Sequence, residues 1–135
     1  MYLKSDKETS GIYSDEYILI FMKFIVSFLL IALFSFALGL YMPWWSVALS
    51  SFIVAVLIRQ SSGRTFVAGF TGVFALWLII SWAIDASNHH LLATKVALIL
   101  PFGGSAFLLI LFTAFIGGLI GGMAALTGSL MHFKR

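Results

Sequence analysis

The sequence predicts an all-α fold: an integral membrane bundle of four transmembrane helices, with a short interfacial helix between the third and the fourth. Composition, hydropathy and segment layout predict it. The 135 residues are 61% hydrophobic and only 10% charged, whereas about a quarter of a soluble domain is charged. So few charges cannot cover a folded body of this size, and its surface has to face hydrocarbon. The mean hydropathy is +1.09, and the apolar residues fall into long runs separated by short polar or proline-containing stretches, as in a polytopic helical protein.

Taken in order, residues 1–15 carry both charge signs and read as a polar cytoplasmic tail or a surface helix, and residues 16–135 as a single four-helix transmembrane domain. Ser14 is placed as an N-cap, with Asp15 and Glu16 in the first turn, where carboxylates favour the positive end of the helix dipole. The first span, about 17–40, exceeds the ~30 Å hydrocarbon thickness. It is too long for a signal-peptide core and no small-residue cleavage site follows, so it is expected to remain uncleaved. Lys23, near its start, reads as a snorkelling interfacial charge. Pro43 then turns the chain, because it lacks the N–H that a helix interior needs. Tyr41, Trp44 and Trp45 around that turn match an interfacial aromatic belt.

The second span, about 45–58, is shorter than the usual 17 or more residues. Either the bilayer thins there or the preceding turn dips below the headgroups. A polar loop leads to the third span, about 66–84, with Trp77 and Trp82 in its second half. Residues 89–100 hold an apolar stretch too short to cross, interrupted by Thr94 and Lys95. An interfacial helix is favoured there over a re-entrant one, because those two residues supply a polar edge. The last span is about 106–130.

Four spans put both termini on one side. With the termini cytoplasmic, Lys4, Lys7, Lys23, Arg59, Arg64, Lys134 and Arg135 lie inside and only Lys95 outside, as the positive-inside rule requires. The expected location is a cell membrane, with the style of a bacterial cytoplasmic membrane protein. The formal net charge of +3 comes from scattered residues, so no basic stripe exists for nucleic acid to follow. Zero cysteines exclude disulfides, thiolate metal sites and thiol redox chemistry. No central Asp, Glu or His marks a span, which disfavours a carboxylate-driven proton pump, and no cofactor is expected.

The segment FIGGLIGGMAALTG places Gly117 and Gly121, and Gly118 and Gly122, at four-residue spacing, extended by Ala125 and Gly128. In lipid, helix association depends on close van der Waals packing, and small residues let backbones approach. These positions are expected to pack against another helix of the same chain or of a partner. Weaker versions recur at Ser35 with Gly39, Ser46 with Ser50, Ser51 with Ala55, and Ala68 with Gly72.

Asp85, Asn88, His89, His90 and Lys95 form the candidate polar site on the outer side. On a continued third helix, Asp85 and His89 would share a face and could bind a metal or relay protons. The plainer reading, that these groups cap a helix and solvate a loop, is favoured, because the third ligand of a typical zinc site is missing and no metal site is expected. Arg59 and Arg64 are candidate lipid-headgroup contacts, set against a simple stop-transfer loop. The expected role is a small packing subunit or scaffold that meets itself or another membrane protein within the lipid bilayer. The alternative is a small oligomeric channel or solute facilitator. An enzyme would have to work through Asp85, His89 or His90.

Overall fold

A computed structural model describes residues 2–101 and 103–131, residues 2–10 through their backbone alone. His132, Lys134 and Arg135 lie outside the described residues. Five helices follow one another: α1 (Tyr2–Tyr41), α2 (Ser46–Leu57), α3 (Ser62–Ser87), α4 (Leu91–Ile99) and α5 (Ala106–Leu130).

The 40 residues of α1 extend for about 60 Å at the α-helical rise. Its start corrects the placing of Ser14 as an N-cap: Ser14 sits inside the helix, where its hydroxyl donates to the Gly11 carbonyl at 2.7 Å. No proline interrupts residues 2–42, and the two glycines there, Gly11 and Gly39, are too small a penalty to break a helix once nucleated. Pro43 ends it, and the turn closes with Met42 N–H donating to Leu38 O at 2.7 Å and Ser46 N–H to Pro43 O at 3.0 Å.

The third helix is longer than its apolar run, from Ser62 rather than Phe66 and to Ser87 rather than Ile84, because polar residues continue it at both ends. Between α4 and α5, Gly103 and Gly104 take φ of +61° and +80°, a left-handed backbone that glycine adopts without a Cβ clash. Ser105 then caps α5, accepting from Leu108 N–H at 3.4 Å.

Three segments, Gly11–Tyr41 of α1, α3 and α5, are long and apolar enough to cross a membrane. Their most apolar windows are only 17, 22 and 33% buried within the chain, so most of that apolar surface faces outward, as in a protein solvated by lipid. With 12 residues, α2 covers only ~18 Å.

The helix directions follow from which residues meet. Phe66 lies against Gly122 and Trp77 against Gly117, so α3 and α5 run antiparallel. Ser35 meets Ser50 and Ser27 meets Gln60, so α1 and α2 also run antiparallel. Extensive packing joins α5 to α3 and α2, and α1 to α3 and α2. Between them Ile31, Val47, Val54 and Val73 form the apolar core, with Leu30, Ile58 and Trp77 against it.

The α3–α5 contact is backbone on backbone. A Cβ added at Gly69 would fall 2.6 Å from Ala125 Cβ and 2.7 Å from Gly121 O, and one at Gly121 would lie 2.9 Å from Gly69 O. Beside this contact, Phe66, Phe70 and Phe74 stack along α3 with centroids 6.3 and 5.8 Å apart. They fill the space left by Gly118 and Gly122, whose added Cβ atoms would meet Phe70 and Phe66. On α2, the Phe52 carbonyl approaches Gly128 closely enough that a Cβ there would lie 2.7 Å away. Gly39 departs from the expected small-residue packing: an added Cβ would meet nothing within 4 Å.

The turn between α1 and α2 sits low. Trp44 lines hollows with Trp77, Ile80, Ser81 and Ile84 of α3 and with Gly117 and Ile120 of α5, so this turn lies beside the second half of α3 rather than beyond its end.

Gly69→Ala is expected to force α3 and α5 apart and to lower stability by about 1–3 kcal/mol, the usual range for overpacking. Gly63→Ala, where a Cβ meets nothing within 4 Å, should stay within about 0.5 kcal/mol. Thermal unfolding in detergent micelles, followed by far-ultraviolet circular dichroism, compares the two.

Candidate functional site

Among the described residues, polar groups gather in three places. At the corner between α3 and α4, α3 ends and the chain reverses through His89 and His90, both in the left-handed region at φ 51° and 60°. Such values are uncommon outside glycine, although histidine is among the residues that tolerate them. The reversal swings the His90 ring back over the last turn of α3. Its Nδ1 stands 2.6 Å from Asp85 Oδ2, and its backbone N–H donates to Asp85 O at 3.0 Å. Against an ionised carboxylate, which only accepts, Nδ1 is the donor. The pairing of Asp85 with His89, possible only on a continued third helix, does not form: the helix stops at Ser87, and His90 is the partner.

Asp85 is 8% exposed and His90 67%, so a buried carboxylate is held by an imidazole at the surface. The other carboxylate oxygen, Oδ1, is buried without a hydrogen-bond partner. Asp85 lines a hollow of about 210 Å³ between α3, α4 and α5, together with Ser81, Asn88 and Thr113. The Thr113 hydroxyl is already committed to Leu109 O at 2.8 Å. Asn88, His89 and Lys95 are exposed, and the salt bridge from His90 to Asp85 is the one present among the described residues, so Lys95 does not join the cluster. Among those residues no group of three or more His, Cys, Asp or Glu converges as a metal site. Chemically the corner offers one oriented imidazole and one buried carboxylate oxygen, which together tie α4 to α3.

A second polar array runs between α1 and α2. Ser27, Ile31 and Ser35 lie at four-residue spacing on α1 and are all buried. Ser35 Oγ and Ser50 Oγ share a hydrogen bond of 2.6 Å, and Ser50 Oγ also donates to Val47 O at 2.8 Å, so Ser35 is the donor in the shared bond. Ser46 and Ser51 are fully buried, and their hydroxyls have no partner. Sequence reasoning missed this inter-helix bond. Its signal was the match between the stripe of Ser27 and Ser35 on α1 and the Ser46 and Ser50 stripe on α2.

The third place is the opposite end of the molecule, where Lys23, Arg59 and Arg64 border a hollow of about 300 Å³ with Ile20, Gln60 and Ser61. The Gln60 amide nitrogen donates to Lys23 O at 3.1 Å and to Ser27 Oγ. This fastens the α2–α3 loop onto α1 and brings Lys23 beside Arg59 and Arg64. The sequence placed the two arginines in one loop, but it gave no sign that Lys23 joins them.

No family model, curated protein or solved structure matches this chain. The chemistry of these three places is therefore the basis for a functional reading.

Replacing His90 with alanine leaves both Asp85 carboxylate oxygens without a side-chain partner, at a cost of roughly 1–3 kcal/mol. The effect should be local: hydrogen exchange of the α4 amides accelerates, while that of the amides around Gly69 and Gly121 stays unchanged. For the serine pair, a double-mutant cycle of Ser35→Ala and Ser50→Ala is expected to give a coupling of about 0.6–1.7 kcal/mol, the range for inter-helix hydrogen bonds in lipid.

Proposed function

We propose that this protein is a multi-pass membrane subunit whose task is to pack: a scaffold that joins copies of itself or another membrane protein in the bilayer. In this reading α1, α2, α3 and α5 form a four-helix bundle with four passes, and α4 rests in the outer interface with the Asp85 corner. Both termini face the cytoplasm, because Lys4, Lys7, Lys23, Arg59, Arg64, Lys134 and Arg135 then share one side and Lys95 takes the other. The short α2 completes its pass because the turn before it dips toward the bilayer interior, beside Trp77 and Ser81.

The observation that carries the proposal is the filled centre. Ile31, Val54 and Val73 are each no more than 1% exposed, and they occupy the space between the helices where a conduit would have to run. Among the described residues no metal-binding group converges elsewhere either, and the buried Asp85 has a single side-chain partner, His90. The small-residue face of α5 is already engaged by α3 and α2 of the same chain. A partner would therefore meet the apolar outer faces, of which α1 has the widest, with Leu29, Leu33, Phe36 and Leu40 exposed. A channel or facilitator would need its path between subunits.

Two measurements test this reading. Proteoliposomes should pass ions and small solutes no faster than empty liposomes, and native mass spectrometry from lipid nanodiscs should show an oligomer or a stoichiometric companion. Flux above the background, or a solitary monomer, refutes the proposal.

A further inference from the structure

The basic end carries more than an orientation signal. Lys23 comes from α1, Arg59 from the loop and Arg64 from the first turn of α3, yet all three border one hollow of about 300 Å³. A rim that only retained the loop on one side of the membrane would have no need to converge its charges, since like charges repel. Among the described residues none of the three is paired with a carboxylate; the salt bridge there is the distant one from His90 to Asp85. Gln60 fixes the arrangement through its bonds to Lys23 O and Ser27 Oγ.

A second hollow, of about 500 Å³, adjoins the first and shares Ile20 and Arg64 with it. Its other walls are apolar or aromatic: Tyr17, Ile18, Phe21 and Phe24. The α1 and α3 helices run in the same direction here, and side chains lean toward the N-terminus of their helix. The side chains of Lys23, Phe24 and Arg64 therefore all lie outward of their own backbone, so the cations and the Phe21 and Phe24 rings border the same end of the molecule. A cationic rim beside an apolar slot, joined at a guanidinium, is the complement of an anionic amphiphile.

We infer that Lys23, Arg59 and Arg64 form a binding site for one anionic phospholipid, its phosphate among the three cations and its apolar part against Phe21 and Phe24. Guanidinium groups suit the ligand, because they give phosphate oxygens paired N–H donors. The lipid would neutralise these three charges and cover part of the α1 face that the other helices leave open. This inference rests on the reading that the chain lives in a bilayer. Its test is blind to orientation and to oligomeric state, so failure of either reading is separately visible.

The test uses the full chain in a neutral detergent, titrated with dioleoylphosphatidylglycerol or with dioleoylphosphatidylcholine, and counts retained lipid by native mass spectrometry. The expected result is one retained phosphatidylglycerol and no comparable retention of phosphatidylcholine. Arg59→Gln with Arg64→Gln should weaken retention about thirtyfold, two charges at the usual attraction per basic residue near anionic lipid. Lys95→Gln removes one charge at the far end and should leave retention unchanged. Circular dichroism without lipid establishes that each variant is folded. Equal retention of the two lipids, or equal loss with Lys95→Gln, overturns the site. Inorganic phosphate raising the melting temperature as much as phosphatidylglycerol overturns the lipid as its occupant.

Discussion

The architecture depends on the approach of two backbones at Gly69 and Gly121. In lipid a helix gains little by exchanging acyl chains for another apolar surface, so it has to gain in contact density. Here the gain comes from removing side chains on both partners at the same level, since an added Cβ on either glycine would meet the carbonyl of the other. The stacked phenylalanines of α3 then complete the contact by occupying the recesses at Gly118 and Gly122. Glycine's intrinsic helix penalty matters less in such a setting, because an unwound segment would leave peptide groups unpaired in hydrocarbon.

The second pair, α1 with α2, is joined differently. Its contact is built on hydroxyls: Ser35 with Ser50, and Ser27 with Gln60. A bond between hydroxyls is directional, and in an apolar surrounding it has no water to compete with it, so it sets the register of a helix too short to be fixed by area alone. The unpartnered Ser46 and Ser51 hydroxyls show the same preference for small side chains, with volume as the reason: both are fully buried, and Ser51 is followed four residues later by Ala55, which packs on Gly128.

Much of this was legible in the sequence. The bounds of α5 follow from its apolar run because Ser105 caps one end and charged residues follow the other. The all-helical class and the three long apolar segments follow from composition. The start of α1 was hidden, since a polar helix continued from an apolar one has no punctuation: Ser14 resembles a cap and instead bonds to Gly11. The partner of Asp85 was hidden for a stricter reason. Spacing of four residues implies a shared face only while the helix continues, and here two left-handed residues intervene. Periodicity cannot report that His90, and not His89, is turned back. The basic site was half legible: Arg59 and Arg64 fall in one polar stretch of sequence, but Lys23 reaches them only through a contact across 37 positions, which Gln60 makes.

The placement of these polar groups limits how the two ends can communicate. The Asp85 corner lies at one end and the Lys23 hollow at the other, with a middle of Ile31, Val54 and Val73 between them. A solid apolar core transmits displacement but not charge or solute, because close-packed interiors shift as units. The helix common to the two ends is α3, which carries Asp85 and Arg64, and the antiparallel α5 is locked to it at Gly69 and Gly121. A ligand at Arg64 can therefore act on the Asp85 corner only by moving α3 along or about its axis. The glycine contact opposes that movement most strongly, since any slide brings Ala125 or Val73 against the facing helix.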